Sequence, residues 1–245
     1  YETVPDSWGH NPTICHRVVA EHLDGFKLPP GVLISHYIDD IMVQGETQEV
    51  VSAVLPRLIE HMKAHGWEIN PAKVQGPSQL KFLGIMWNKG EREIVQKARD
   101  KIIAFAVPHT KKDVQKFICL FGYWRNHIPH LGQILQPMYQ VTRKKEEFTW
   151  GESQQRVFEL AKEAIQQAVS LGKMMSGPVE LQVSAVNDYA NWSLWQKQGR
   201  VRKPLGFWSR KLPPAGVRYT PFEKQLLACY WALLETEAQT VGHDV

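Results

Sequence analysis

The spacing of apolar residues changes several times along the chain, and each change predicts a different element. From Gly31 to Val43 two β-rich apolar runs are interrupted by Asp39-Asp40, the pattern of two short strands joined by an acidic tip. Between Glu46 and His65 the residues Val50, Val51, Val54, Leu55, Leu58, Ile59 and Met62 recur every three or four positions. Gly66 then stands where a C-terminal cap belongs, so the segment predicts one amphipathic helix. After the turn signal Asn70-Pro71, the run from Leu80 to Trp87 reads as a strand bent at Gly84.

From Lys97 to Gln167 the period is helical, with helices predicted over residues 97–105, 111–126, 132–141 and 152–169. Val157, Leu160, Ala161, Ala164 and Ile165 share one face of the last. Strand character returns at 179–186, 192–196 and 204–209, and a helix runs from Pro221 to about Thr236. The basic stretch Lys197 to Lys203, which contains Gly199, predicts a hairpin turn. These elements give an α/β multi-domain chain: mixed α and β over 1–87, helical over 88–172, and α/β again over 173–245.

Composition narrows the class. With 43% hydrophobic and 22% charged residues over 245 positions, the chain is globular material, and a disordered tail is excluded. Cys15, Cys119 and Cys229 form no C-x-x-C pair, so neither a disulfide framework nor a zinc pattern is expected. His127 and His130 flank Pro129 without an acidic or cysteine partner nearby, which argues against a zinc site there as well. No apolar run is long enough for a membrane span and no basic-then-apolar signal opens the chain, so an intracellular location is expected, not secretion as a folded domain. The opening Tyr1-Glu2-Thr3-Val4-Pro5 lacks an initiator Met, and a fragment of something longer is expected.

Charge is unevenly spread. Residues 1–87 carry 6 Lys/Arg against 10 Asp/Glu, residues 88–150 carry 12 against 6, and residues 151–245 carry 11 against 9. The basic middle suits a polyanion, although solvated lysine-rich helix faces have the same composition. Lys111, Lys112 and Lys116 open the predicted helix 111–126 and Arg125 closes it; Lys112 and Lys116 fall on one face, spaced to meet phosphates. The run Arg143-Lys144-Lys145 is offset at once by Glu146-Glu147 and reads as a solvated turn.

The sharpest chemical feature is Tyr37-Ile38-Asp39-Asp40. Neighbouring residues of a regular strand face opposite ways, but at a hairpin tip the backbone turns, and two carboxylates can line one site. With a third carboxylate they suit two magnesium ions, which activate a hydroxyl and clamp an in-line displacement at phosphorus. An isolated Asp-Asp is ordinarily a polar turn. The apolar residues on both sides set this one apart.

Tyr-x-Asp-Asp between apolar strands resembles the polymerase hairpin of retroviral reverse transcriptases. The resemblance continues in order through Val4-Pro5-Asp6-Ser7-Trp8-Gly9, similar to the segment that leads into the palm helix and helps form the nucleotide pocket, and through Phe82-Leu83-Gly84, similar to the primer grip. Phe117 to Pro129, Pro137-Met138-Tyr139 and Phe148-Thr149-Trp150-Gly151 resemble the thumb and its exit. Pro204 to Leu212, Tyr219 to Glu223 and Leu226-Leu227-Ala228 resemble the connection, a ribonuclease-H-like fold. The flavour is that of gammaretrovirus-like and endogenous retroviral polymerases.

The resemblance implies roles. Asp39 and Asp40 would be the magnesium ligands of a two-metal site, with Tyr37 beside them. Phe82, Leu83 and Gly84 would position the primer end, and Asp6, Ser7 and Trp8 would belong to the nucleotide pocket. Lys111, Lys112, Lys116 and Arg125 would follow the template–primer, with a deoxynucleoside triphosphate as the second substrate of the full enzyme.

Three departures separate ancestry from activity. The family's third metal-binding aspartate comes from a strand ahead of the Val4-Pro5 segment, so this chain alone is expected not to polymerise. Asp6 and Ser7 stand where the family has Gln and Gly, and a carboxylate beside a triphosphate is electrostatically unfavourable. Ser184 occupies the place of a nuclease aspartate, and Thr220-Pro221-Phe222-Glu223 reads as a capping box, so no nuclease activity is expected. Two further readings remain open at this point: a domesticated, non-catalytic module of retroviral origin, and a nucleic-acid-binding protein acting through the thumb.

Overall fold

The computed structural model describes residues 11–144 and 147–245. They divide into two compact units, Tyr1–Lys89 and Gly90–Val245.

In the first unit, helix α1 (Asn11–Asp24) is followed by strands β1 (Leu33–Tyr37) and β2 (Asp40–Gln44), helix α2 (Gln48–Ala64), and strands β3 (Gln79–Phe82) and β4 (Ile85–Asn88). Helix α2 starts where Thr47 accepts a hydrogen bond from the Val50 N–H and stops at His65, with Gly66 at φ +86° continuing the chain out of the helix. Pro56 lies inside it, so one intrahelical hydrogen bond is lost and the buried stripe Val54, Leu58 and Met62 carries the helix. Val19 and Leu23 of α1 meet Leu58 and Met62 of α2, and Ile34, Ile41 and Val43 of the hairpin pack against this core. Met42, on the opposite face of the hairpin, is buried as well.

The run from Leu80 to Trp87 is not one bent strand. It is two antiparallel strands, with Phe82 paired to Ile85 and Leu80 to Trp87. Leu83 and Gly84 between them have φ +51° and +76°, the left-handed pair of a tight two-residue hairpin turn. Gly84 therefore reverses the chain where a bend was expected.

The second unit contains strand β5 (Glu91–Ile94) and helices α3 (Gln96–Ile103), α4 (Lys111–Gly122), α5 (Leu131–Ile134), α6 (Gln136–Val141) and α7 (Glu152–Gln166). Strands β6 (Val179–Val186), β7 (Tyr189–Gln198) and β8 (Val201–Lys211) and helix α8 (Pro221–Thr240) follow. Phe117, Phe121 and Phe158 are almost fully buried, with ring centroids 5.1 and 4.7 Å from Phe117, and each contributes roughly 1.5–3 kcal/mol by leaving water. The sheet order is β6-β7-β8, all antiparallel, and α8 lays Ala228 and Ala232 on Ala190 and Trp192. Gly206 is required there: a Cβ would come within 2.5 Å of the Trp208 indole. Pro204 lies on the edge strand β8 beside the register shift at Leu194/Trp195, and its carbonyl accepts from the Gly172 N–H outside the β7 ladder, the side on which a missing N–H costs no ladder bond.

Main-chain bonds join the helical stretch to the sheet. Arg92 and Leu171 exchange N–H···O bonds of 2.8 and 2.9 Å, the Gly172 N–H donates to Pro204 O at 2.8 Å, and the Arg92 guanidinium donates to Leu205 O at 2.9 Å. Predicted helix 132–141 is two short helices broken at Leu135, and 111–126 ends at Gly122, followed by a 3-10 turn at Arg125–His127. No helix among the described residues is long and apolar enough to cross a membrane.

Candidate functional site

The β1–β2 hairpin closes with Tyr37 paired to Asp40, so only Ile38 and Asp39 form its turn. Ile38 takes φ +52°, a region natural to glycine and strained for a β-branched side chain. The turn therefore carries Asp39 at its apex and Asp40 at the first paired position of β2. Both aspartates are exposed, as are Tyr37 and Ile38. Exposed adjacent carboxylates supply hard oxygen donors to a cation without prior loss of an ion pair.

A residue not singled out in the sequence holds this tip. His16 of α1 accepts the Ile38 N–H at its Nδ1, 3.4 Å away, its ring stacks on His36 at 4.1 Å between centroids, and its carbonyl accepts from His36 Nε2 at 3.2 Å. An unprotonated Nδ1 is required of His16 by the first bond. Its only trace in the sequence is a histidine on a helix facing a strand histidine twenty positions on, and that pairing needs the fold to be known. Gln44 further ties the strands by donating to Ser35 Oγ at 2.8 Å.

Phe82, Leu83 and Gly84 occupy the second tight turn of the same unit: Phe82 is buried, and Leu83 is exposed at the apex. Asp6, Ser7 and Trp8 lie outside the described residues, as do Lys145 and Glu146. Among the described residues no group of three or more His, Cys, Asp or Glu side chains is arranged to hold a metal ion. Asp39 and Asp40 thus match magnesium in donor type but fall short in number.

The basic residues sit on the other unit. Thr110 caps α4 and donates its hydroxyl proton to Asp113 at 2.7 Å, and Lys116 pairs with Asp113 at 3.2 Å; these contacts hold the Asp113 carboxyl below the usual range. Lys111 Nζ donates to Arg143 O at 2.7 Å. Lys112 is exposed. Of the two aromatics that end this segment, Trp124 is buried and Tyr123 is exposed against its edge.

In the third region Ser184 stands on β6 opposite Asn191. Glu223 closes the capping box of α8: its carboxylate accepts from the Thr220 N–H and from the Thr220 hydroxyl, both at 2.8 Å, which lowers its pKa, while Thr220 Oγ1 accepts from the Glu223 N–H at 3.3 Å. His127 is buried with Nδ1 donating to Val169 O at 2.9 Å.

Residues 8–87 match the family model of the reverse transcriptase (RNA-dependent DNA polymerase), and residues 150–245 that of the RNase H-like domain found in reverse transcriptase. The Gag-Pol polyprotein of avian reticuloendotheliosis virus is 26% identical over 99% of this chain, and the Pol polyprotein of feline endogenous virus ECE1 25% identical over 99%. The chain spans only 21% and 23% of those relatives' lengths. Among solved structures, the foamy viral protease-reverse transcriptase in complex with RNA/DNA hybrid shares the fold, with TM-score 0.80, 24% identity, and coverage of 99% of this chain and 33% of that one. Its complex with dsDNA gives TM-score 0.83 at 24% identity, covering 98% and 50%. Two family models in the expected order, with Gag-Pol and Pol relatives across nearly every residue, support a portion of a retroviral reverse transcriptase.

Proposed function

We propose that the chain is the part of an RNA-directed DNA polymerase that grips the template–primer and presents two of the metal-holding carboxylates. The observation that carries this reading is the strained two-residue turn that exposes Asp39 and Asp40 together and is pinned from behind by His16. Asp39 and Asp40 would hold magnesium, completed by a third carboxylate from another segment of the polymerase. Magnesium bound there supplies Lewis-acid charge that activates the primer hydroxyl and stabilises the leaving pyrophosphate. The turn Phe82–Gly84 sets the primer end, and α4 meets backbone phosphates through Lys112 and Lys116. The relatives support the nucleic-acid partner, since the foamy viral enzyme is bound to RNA/DNA hybrid in one structure and to dsDNA in another. A deoxynucleoside triphosphate is the second substrate of the assembled enzyme.

The test is primer extension on an RNA template by the longer polymerase that contains this chain. Asp39→Asn and Asp40→Asn should each lower extension about 100-fold or more, because one hard anionic ligand is lost from the reacting centre. Binding of the hybrid without metal should change less than about threefold, and the 245-residue chain alone should extend nothing. Unchanged extension by both variants would sink the polymerase reading and favour a non-catalytic module.

A further inference from the structure

The Ile38–Asp39 turn lacks the residue that its backbone ordinarily takes. Of its two positions only Ile38 has positive φ, the sign pattern of a type II′ hairpin turn, whose first position is normally glycine. Ile38 is β-branched, so the form it holds must be imposed from outside the turn. The paired ladder also ends at Tyr37–Asp40, which leaves the Ile38 N–H beyond it and in need of another acceptor. That acceptor is His16 Nδ1, 3.4 Å away on a different element.

Packing explains why the imidazole stands there. His16, Val19 and Leu23 fall on one face of α1, at positions i, i+3 and i+7, and Val19 and Leu23 are buried against Leu58 and Met62 of α2. With α1 seated by those two residues, His16 is carried to the back of the hairpin. His36 then fixes the ring: it stacks on His16 with centroids 4.1 Å apart and planes 21° from parallel, and its Nε2 donates to the His16 carbonyl at 3.2 Å. Both residues are half-buried, which limits the rotation of their rings. A donor at Ile38 requires a bare Nδ1 on His16, so the neutral ring carries its proton on Nε2.

The consequence falls on one carboxylate more than on the other. Asp40 is held by its pairing with Tyr37 at the start of β2, whereas Asp39 follows Ile38 through a single peptide unit inside the turn. If Ile38 leaves positive φ, that peptide rotates and Asp39 swings against a stationary Asp40. Magnesium tolerates little error in the direction of its oxygens, so the worth of the pair as ligands depends on that angle. We propose that His16 is a positioning residue for the carboxylate pair: by accepting the Ile38 N–H it holds the turn at positive φ and sets the direction of Asp39 against Asp40. It acts through the backbone, one residue removed from Asp39. This role rests on the reading of Asp39 and Asp40 as metal ligands.

Two substitutions separate the acceptor from the bulk. Asn presents Oδ1 where His presents Nδ1, so His16→Asn keeps the bond, and His16→Leu keeps the volume without it. In primer extension by the longer polymerase, His16→Leu should raise the half-saturating Mg2+ concentration about three- to tenfold, the effect of one lost hydrogen bond, and His16→Asn should stay within about twofold of wild type. Hybrid affinity without metal should change less than about twofold in both. In the metal-free 245-residue chain the imidazole nitrogen resonances of His16 should show a bare Nδ1, and hydrogen exchange at the Ile38 amide should quicken about three- to tenfold in His16→Leu alone. A proton on His16 Nδ1 overturns the proposal, a result that needs no variant to fold. So does a His16→Leu protein whose Mg2+ requirement and Ile38 exchange match wild type, and so does His16→Asn as impaired as His16→Leu with near-ultraviolet circular dichroism unchanged in both. The two readings fail separately. Extension abolished by Asp39→Asn and Asp40→Asn but indifferent to position 16 removes only the role of His16, whereas extension untouched by the aspartate variants removes the metal site and this role with it.

Discussion

Two residues show how much a single position can carry. Ile38 holds φ +52° at the hairpin apex, where a β-branched side chain is strained by roughly 1–3 kcal/mol. Ile38→Gly removes the strain but raises backbone freedom in the unfolded chain, which offsets roughly 0.5–1 kcal/mol. Ile38 is 39% exposed, so removing its side chain also gives up buried apolar area. Ile38→Ala loses the same side chain but keeps a Cβ at positive φ, so in urea unfolding Ile38→Gly should exceed Ile38→Ala by about 1 kcal/mol; equal stabilities would mean that the turn does not hold this conformation. His127 works through protonation. Burial pushes its pKa below the ordinary 6.5, with Arg92 and Arg99 adding to the depression and the Val169 carbonyl opposing it. Between 6.5 and the lowered value the unfolded chain binds more protons than the folded one, so stability is full above about pH 6.5 and falls as pH drops through that window. The slope is at most about 1.4 kcal/mol per pH unit for one proton. His127→Gln keeps a donor for Val169 and should flatten this part of the stability profile measured by denaturant unfolding between pH 7 and 5.

At the level of elements, the ends of helices decide where packing can begin. The C-terminus of α7 is closed by one side chain: the Arg99 guanidinium donates to the carbonyls of Ile165, Gln166 and Ala168, the last two at 3.0 Å. Two acceptors that an α-helix leaves unpaired, and a third just past its end, are thereby satisfied by a residue 66 or more positions earlier. Lysine has the charge but not the planar fork, so Arg99→Lys should cost about 1–3 kcal/mol by calorimetry or urea unfolding. Contacts of this kind mark the limit of what the sequence discloses. The α2 stripe, the capping box at Thr220 and the β1–β2 hairpin were legible because each rests on neighbours within a turn or two. Strand β5 was not, since Glu91-Arg92-Glu93 has no apolar alternation and owes its extended form partly to Leu171. The break at Leu135 and the early end of α4 were hidden in the same way, because period alone does not distinguish a helix from two short helices in line. The site followed the same rule: Asp39 and Asp40 announce themselves by their bracket of apolar residues, whereas His16 reaches Ile38 only after α1 has packed on the hairpin.

For the whole molecule, the uneven charge is the property that reaches furthest from the surface. Residues 88–150 hold twice as many Lys/Arg as Asp/Glu, and residues 1–87, which carry the aspartates of the hairpin, have an acidic excess. A polyanion is drawn to the basic stretch first, and contacts there set the salt dependence of binding, whatever happens at the carboxylates. The three lysines of α4 are not equivalent in this. Lys116 is already neutralised in part by Asp113, Lys111 is held against Arg143 O, and Lys112 is exposed one turn before Lys116 on the same face. Each phosphate neutralised contributes about 0.9 to the slope of log affinity against log salt on a duplex. Lys112→Ala should therefore lower the slope for an RNA/DNA hybrid by about 0.9, while Lys116→Ala lowers it by clearly less, because removing that ammonium also frees the Asp113 carboxylate to repel phosphate. Affinities taken between about 50 and 200 mM salt resolve the two. Equal slopes for the wild type and the Lys112→Ala chain would remove α4 from the nucleic-acid face and leave the excess charge of this region as a solvated surface.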